Sequence, residues 1–299
     1  MLLPGRVRPG IVTVYDGSMR LTVGLAQFLA TPADPPGNLE RALGHVASLA
    51  ARACDLIVLP ELWPCGFSWD TLADDARAAA EPLDGPRGAA LAAAAAEAGA
   101  WLLAGTVPER TDAGVANTAV LYAPDGRLIA MHRKVRLYTP LGEERAFVAG
   151  RELTVVAHPQ LGPVGIATCF DGDFPEVARA LRRAGARVVL HPAAYEVAAA
   201  TWWDVLYPAQ ALANGQWWIS VNQCGSTPSG TLLGASRVIS PLGSVVAEAP
   251  RASEGSTVPS AELVLELDVA GGLARWDATC GALVDEAGEV PPVHVFHVA

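Results

Sequence analysis

The 299-residue sequence is short of charge, and of positive charge above all. Charged residues make up 17% of the chain, and 21 Lys and Arg against 31 Asp and Glu give a net charge of −10. No run of five basic residues occurs. Nucleic-acid grooves and anionic membrane surfaces both need clustered cations, so neither partner is expected. Hydrophobic residues reach 51%, which excludes a disordered chain and predicts a folded globular protein.

Cysteine pairs and long apolar runs are also missing. The five cysteines include no C-x-x-C pair, which predicts free thiols in a reducing compartment, with one of them available as a nucleophile. Pro4, Pro9 and Asp16 interrupt any signal-peptide core. The Ala-rich stretch 89–105 falls short of the ~20 apolar residues that a membrane span requires. We therefore predict a cytoplasmic protein.

What the chain does contain is an alternation of strand and helix patterns. Strands are predicted at 21–28, 56–60, 101–107, 116–123, 128–132, 164–168, 187–190, 217–221, 235–240, 244–248 and 262–267, and helices at 38–53, 85–98, 176–183 and 201–214. No linker interrupts residues 21–270, which predicts one α/β domain with helices covering the sheets. Residues 1–20 and 271–299 show no clear period and are predicted to be terminal extensions, the second of them extended.

Three chemically useful residues, Glu61, Lys134 and Cys169, follow predicted strands. Ligands of α/β sheets collect beyond the carboxyl ends of strands, so these side chains can meet at one sheet edge. A free thiol is mostly protonated at neutral pH and needs a base or a positive field to attack. The helix predicted just after Cys169 should lower its pKa. Spacing alone leaves the ordinary alternatives open: a buried apolar cysteine, a loop glutamate and a surface lysine.

The motifs around these residues form an ordered set. They are LPE at 59–61 with GF at 66–67, HRK at 132–134, CFDGDFPE at 169–176, ALAN at 211–214, GAS at 234–236 and SPLG at 240–243. Each is weak alone, but their order and spacing over residues 21–268 resemble the nitrilase superfamily, the carbon–nitrogen hydrolases. The resemblance implies a four-layer α-β-β-α sandwich.

The resemblance also implies a role for each motif. It makes Cys169 the nucleophile and Glu61 the general base. Lys134 becomes the oxyanion partner, together with the backbone N–H of Phe170. The implied reaction is hydrolysis of an amide through a thioester on the cysteine, and it needs no metal or organic cofactor.

The residues after the cysteine favour amides over nitriles, and the stretch DGDFPE at 171–176 is similar to that of aliphatic amidases and formamidases. True nitrilases usually place Trp-Glu there, whereas this chain has Phe170-Asp171. Members that act on free-carboxylate substrates often have an Arg two or three residues after the cysteine, where this chain has Asp171 and Gly172. A carboxylate substrate is therefore disfavoured, unless another residue such as Arg136 reaches the pocket.

Further site residues follow from the same resemblance. Many members have a second catalytic glutamate seven residues before a glycine, which selects Glu143 here, to orient Lys134 or the substrate nitrogen, and ranks Glu144 after it. Tyr138 and Tyr195 are candidate pocket residues, with ordinary packing an equal alternative. Asp173 could attract a cationic substrate, although an N-terminal helix cap is the preferred interpretation.

We accordingly predict an amidase that releases ammonia from a small-molecule amide. The alternatives are an N-carbamoyl amine hydrolase or a nitrilase on the same triad, or a catalytically silent scaffold. Family members commonly form dimers or larger oligomers, so a homodimer or higher homo-oligomer is expected, with residues 271–299 at the subunit interface.

Overall fold

Two six-stranded β-sheets form the framework of the protein. The structure is a computed structural model, and it describes residues 20–281. The helices are α1 (Pro35–Ala50), α2 (Leu72–Ala79), α3 (Pro86–Ala98), α4 (Pro175–Arg183), α5 (Ala200–Asn214) and α6 (Val269–Cys280). The strands are β1 (Arg20–Gln27), β2 (Leu56–Val58), β3 (Trp101–Thr111), β4 (Gly114–Tyr122), β5 (Leu128–Arg133), β6 (Thr154–His158), β7 (Gly162–Ile166), β8 (Val188–Ala193), β9 (Trp217–Asn222), β10 (Cys224–Thr227), β11 (Gly230–Leu233), β12 (Arg237–Ile239), β13 (Val245–Glu248) and β14 (Ala261–Asp268).

The strand order places the parallel strands at the centre of each sheet. The first sheet runs β14-β1-β2-β3-β4-β5 and the second β13-β12-β9-β8-β7-β6, with β10 and β11 as a separate hairpin. Strands β1, β2 and β3 are mutually parallel, and so are β7, β8 and β9. Their carboxyl ends meet where the Glu61 N–H donates to the Ala193 carbonyl over 3.3 Å. Ligand sites form at such an edge.

Three of the buried apolar clusters form the layers of the sandwich. The central layer joins the two sheets face to face, with Val23 and Leu103 of the first sheet packed among Val188 and Ile219 of the second. A second layer lies between the first sheet and helices α1 and α3. The third lies between the second sheet and helices α4 and α5. These layers confirm the predicted α-β-β-α sandwich.

The main error in the predicted elements lies near the C-terminus. Residues 271–280 belong to helix α6, not to an extended tail. Asp268 caps this helix by accepting a hydrogen bond from Gly271 N–H over 2.9 Å. Buried Trp276 anchors it to α5 by donating to the Leu212 carbonyl over 2.7 Å. The helix depends on this docking, because Gly271 and Gly272 weaken its intrinsic propensity.

Three further elements were not predicted: α2, β6 and the β10–β11 hairpin. Most of the predicted extensions, residues 1–19 and 282–299, lie outside the described residues. Within residues 20–281, no helix combines the length and apolar character needed to cross a bilayer.

Candidate active site

A cavity of about 820 Å³ opens at the edge where the two sheets meet. Its walls contain every predicted site residue except Glu143. The lining consists of Glu61, Phe67, Trp69, Lys134, Tyr138, Pro140, Leu141, Cys169, Phe170, Asp173, Phe174, Ala194, Tyr195, Glu196, Ala198, Ala199, Trp202 and Leu206. The structure therefore brings together residues that lie more than 100 positions apart in the chain.

A bulge in β3 positions Glu61. The register of β3 against β4 shifts between Leu103 and Thr106, and Gly105 sits in the gap with a φ of +61°. A Cβ on Gly105 would lie 1.9 Å from the Pro60 carbonyl oxygen, so only glycine lets the two backbones approach. Thr106 then donates its N–H to that carbonyl over 3.2 Å. Glu61 is fully buried, and its carboxylate accepts hydrogen bonds from Asn117 on β4 and from Lys134, which follows β5.

The Lys134 ammonium lies between two buried carboxylates. Its Nζ is 3.0 Å from Glu61 Oε1 and 2.9 Å from each carboxylate oxygen of Glu143. Asn117 on β4 adds a hydrogen bond from Nδ2 to Glu61 Oε1 over 2.8 Å. The side chains of Lys134, Glu61 and Glu143 are at most 2% exposed. Buried charges need such partners, so the cluster holds its members in one geometry.

The two candidate second glutamates occupy opposite environments. Glu143 is buried, and its Oε2 also accepts the Tyr138 N–H over 2.6 Å, which folds the loop after Lys134 back onto the cluster. Glu144 is exposed. Only Glu143 is therefore placed to act on Lys134.

Cys169 occupies a strained position at the end of the loop after β7. Its φ is +47°, a conformation that costs a non-glycine residue about 1–3 kcal/mol. A short 3₁₀ turn, Cys169–Asp173, begins there. His191 fixes the turn through Nε2, which is 3.0 Å from the Cys169 carbonyl oxygen and must donate to it. The strain is thus held by surrounding contacts and directs the sulfur into the cavity.

The thiol lies beside the carboxylate of Glu61. The two groups make a polar contact that favours the ionised carboxylate, and the Ala194 backbone N–H points toward the sulfur. Glu61 Oε1 is occupied by Lys134 and Asn117. Its Oε2 is buried and has no nitrogen or oxygen partner among residues 20–281. This oxygen can accept a proton.

Burial controls the pKa values of the cluster. Burial raises the pKa of the Cys169 thiol well above its usual value, and Glu61 adds to this rise while Lys134 opposes it. Burial also raises the pKa of Glu61 against the opposing charge of Lys134. Burial alone would lower the pKa of Lys134, but Glu143 and Glu61 together raise it well above its usual value. The predicted lowering of the cysteine pKa is therefore wrong in direction, because desolvation by burial is the largest effect on the thiol.

Asp171, which the sequence did not mark as a site residue, ties the lysine loop to the cysteine turn. Its Oδ1 accepts the backbone N–H groups of Val135 and Arg136 over 3.1 and 2.7 Å. Its Oδ2 accepts the Thr168 N–H over 3.0 Å and lies 2.9 Å from His132 Nε2. All four partners flank Lys134 or Cys169 in the chain. Asp171 therefore fixes the distance between the two loops.

Asp173 lies in the cavity wall and does not cap helix α4. Phe174 holds the cap position, without a side-chain bond. Asp173 instead accepts hydrogen bonds on Oδ1 from the hydroxyls of Tyr195 and Tyr207, the second at 2.7 Å. The capping interpretation is wrong because these buried hydroxyls draw the carboxylate into the cavity. No sequence motif around Tyr207 indicated that it would contact Asp173.

The remaining wall is aromatic. Tyr138 contacts Phe170 edge-on with ring centroids 4.9 Å apart, and Phe170 contacts Phe174 at 5.0 Å. Trp69 lies 5.7 Å from Tyr138 on the other side. Among the described residues, no group of three or more His, Cys, Asp or Glu is arranged to hold a metal ion.

Comparison with known proteins agrees with this geometry. The chain matches the carbon-nitrogen hydrolase family model over residues 22–268. It is 27% identical to an omega-amidase of Xenopus tropicalis over 256 residues, covering 83% of this chain and 90% of that protein. The solved structure of Saccharomyces cerevisiae Nit3, a member of branch 10 of the nitrilase superfamily, gives a TM-score of 0.76 at 26% identity, covering 87% of this chain and 94% of that one.

A second solved structure is a mutant form of an amidase from Nesterenkonia sp. It gives a TM-score of 0.72 at 27% identity, covering 89% of this chain and 95% of that one. It shows the acetamide moiety of fluoroacetamide added covalently at the active-site cysteine of that enzyme. The predicted family and enzyme class are confirmed: the chain belongs to the carbon–nitrogen hydrolase family, as a member of its amidase-like branch.

Proposed function

We propose that this protein hydrolyses the C–N bond of a small-molecule primary amide through a thioester on Cys169, releasing ammonia and a carboxylic acid. The main support is the arrangement of the cavity, in which the Cys169 thiol lies beside Glu61 and Glu61 has one buried oxygen without a nitrogen or oxygen partner among residues 20–281, able to accept a proton. The covalent adduct on the cysteine of the Nesterenkonia amidase agrees with this assignment.

Acylation begins with transfer of the thiol proton to Glu61 as the Cys169 sulfur attacks the amide carbonyl carbon. The carbonyl oxygen becomes an oxyanion, which Lys134 and the Phe170 N–H stabilise. Phe170 is suited to this because N–H groups at the start of a helical turn have no partner within the turn. One such donor contributes about 3–4 kcal/mol to the transition state. Glu61 then gives its proton to the leaving nitrogen, the C–N bond breaks, and ammonia departs.

Deacylation repeats these transfers with water. Glu61 takes a proton from a water molecule, which attacks the thioester carbonyl carbon while the same donors hold the oxyanion. The C–S bond breaks, the sulfur recovers the proton from Glu61, and the carboxylic acid leaves. Glu143 and Asn117 act as positioning residues, because both hold the Glu61–Lys134 pair without reaching the carbonyl.

The test combines ammonia release with mass spectrometry of the cysteines. Wild-type protein incubated with simple alkyl amides should release ammonia and carry an acyl group on Cys169. Cys169→Ser should lose both signals. Cys280→Ser is the matched control, since Cys280 is also a partly exposed free thiol, and it should keep both. Ammonia release that survives Cys169→Ser would refute the proposal.

The alternative reactions give different products. Carbon dioxide released together with ammonia would assign the site to N-carbamoyl amines. A silent scaffold would release no ammonia, and Cys169 would carry no acyl group after incubation with amides. The triad is complete, with Glu61 and Lys134 buried and Cys169 partly exposed, which argues against the silent scaffold.

The expected self-association is also part of the proposal. Helix α5 exposes Trp202, Val205 and Leu212, and the neighbouring edge strand β13 exposes Val245 and Val246. A second copy of the chain would remove this apolar surface from water. Light scattering of the purified protein should give a dimer or larger species, and Val205→Glu should shift it toward the monomer.

A further inference from the structure

The outer part of the cavity carries negative charge without a free positive partner. Among the described residues that line it, Lys134 is the only Lys or Arg, and Glu61 and Glu143 already hold it. Asp173 and Glu196 line the same cavity. A substrate therefore meets two carboxylates that form no ion pair with a Lys or Arg of the described residues.

Asp173 is held in an orientation that would bind a cation. Burial raises the pKa of Asp173, while the hydroxyls of Tyr195 and Tyr207, which both donate to Oδ1, oppose this rise and favour the ionised carboxylate. Neither bond uses Oδ2, and the side chain remains partly exposed. The charges of Asp173 and Lys134 are close enough to interact, so this carboxylate lies near the reacting centre.

The aromatic wall adds a second preference for positive charge. Trp69, Tyr138, Phe170 and Phe174 form a continuous series of ring contacts, and Trp202 lines the same cavity. Ring faces attract ammonium groups, by about 0.5–2 kcal/mol each depending on solvation. A protonated amine would thus be favoured by both the carboxylate and the rings.

The same features reject a substrate carboxylate. Like charges in a partly desolvated cavity repel. The arginine that could have reversed this, Arg136, is exposed and stacks on Phe174 with its guanidinium carbon 4.7 Å from the ring centre. It is not among the residues that line the cavity.

We infer that the preferred substrates are primary amides whose acyl chain carries a protonated amine, bound by Asp173 and the aromatic wall. This inference rests on the proposed amide hydrolysis at Cys169. It assigns the substrate class, with Asp173 as its main determinant.

Three matched series of amides test the inference. They have equal chain lengths and end in an amine, a methyl group or a carboxylate, and a neutral aromatic amide is added. The rate constant kcat/KM for ammonia release should be at least about tenfold higher for the best amino amide than for its methyl counterpart, the size of one hydrogen bond to a charged group. Carboxylate amides should be the poorest. An alkyl or aromatic amide whose kcat/KM equals that of the best amino amide would overturn the inference.

Substitutions identify the side chain that causes the preference for amino amides. Asp173→Asn should bring the amino-to-methyl ratio close to 1, and Glu196→Gln should lower it less. Glu176→Gln is the matched control, because Glu176 is exposed and outside the cavity, and it should leave the ratio unchanged. If Asp173→Asn fails to fold, the kcat/KM values of the wild-type protein for the three amide series, and the change in their ratio in Glu196→Gln, still test the inference.

The two levels of the proposal fail separately. If the wild-type protein hydrolyses no amide and Cys169 is never acylated, the proposed function is wrong. If alkyl amides are hydrolysed through Cys169 without a preference for amines, only the substrate class is wrong.

Discussion

The two halves of the cavity use charged side chains in opposite ways. In the acid–base cluster, Glu61, Lys134 and Glu143 are buried and bond mainly to one another. In the acyl pocket, Asp173 is partly exposed and accepts hydrogen bonds from two neutral hydroxyls. The first arrangement satisfies its charges internally and fixes the reacting groups. The second leaves charge available, which suits recognition of a substrate.

This contrast predicts different penalties for substitution. Removing one member of a buried ion cluster leaves its partners uncompensated and destabilises the fold by about 3–5 kcal/mol. Removing a partly exposed carboxylate leaves only neutral hydroxyls, which can turn to other partners. Changes in the cluster should therefore reduce stability and rate together, whereas changes in the acyl pocket should alter mainly substrate preference.

Lys134→Met should give the largest effect. It leaves Glu61 and Glu143 as buried, unpaired carboxylates and removes an oxyanion donor. We expect kcat/KM for alkyl amides to fall by about 10³-fold or more and the free energy of unfolding to fall by about 3–5 kcal/mol. Steady-state rates and urea denaturation measure the two losses.

A double variant separates the two losses. Adding Glu143→Gln to Lys134→Met removes one buried, unpaired charge. Part of the stability should therefore return, while the activity stays lost. A Lys134→Met protein that keeps activity within about tenfold of the wild type would remove Lys134 from the proposed machinery.

Asp171→Asn should affect the connection between the lysine loop and the cysteine turn. An amide can keep the backbone bonds on one oxygen only, so either the Val135–Arg136 pair or the Thr168–His132 pair is lost. We expect kcat to fall by about 10²-fold through misplacement of the reacting groups, with KM little changed. The rate of iodoacetamide labelling at Cys169 should change too. A loss of thermal stability with unchanged kcat would show a purely structural role.

Glu143→Gln should have a smaller effect, because it keeps an oxygen for Lys134 while removing one charge from the cluster. We expect kcat to fall by about tenfold, the size of one lost charge-assisted hydrogen bond. Glu144→Gln is a matched control one residue away, at an exposed position, and should retain wild-type rates. Equal losses in both variants would show that loop structure, and not the contact with Lys134, is responsible.

The sequence predicted this half of the site better than the other because its chemistry lies in local motifs. Glu61, Lys134 and Cys169 each lie within three residues of the end of a strand, so a strand pattern and the rule for sheet edges bring them together. The resemblance added Glu143 through a fixed spacing to Gly150. The sandwich followed from the alternating patterns and the same resemblance.

Features that depend on the pairing of distant elements could not be predicted in this way. Asn117 is a mid-strand residue whose value depends on the register of β4 beside β5. The bulge at Gly105 matters only because Pro60 lies against it. Asp173 precedes Pro175, which is typical of a helix cap, and only the folded structure brings Tyr207 from α5 to compete for it. Helix α6 lacks a clear period, and Trp276 stabilises it by docking on α5.

Tyr207→Phe should give the smallest change and the sharpest test of the acyl pocket. The hydroxyl donates to Asp173 from a buried ring stacked on Trp218, so the substitution preserves packing and removes one donor. We expect the amino-to-methyl ratio of kcat/KM to fall by about three- to tenfold, while the rate with alkyl amides stays near wild type. Tyr122→Phe is the control, a buried tyrosine outside the cavity, and should leave the ratio unchanged. An equal fall for amino and alkyl amides would place Tyr207 with the acid–base cluster and remove the distinction between the two halves.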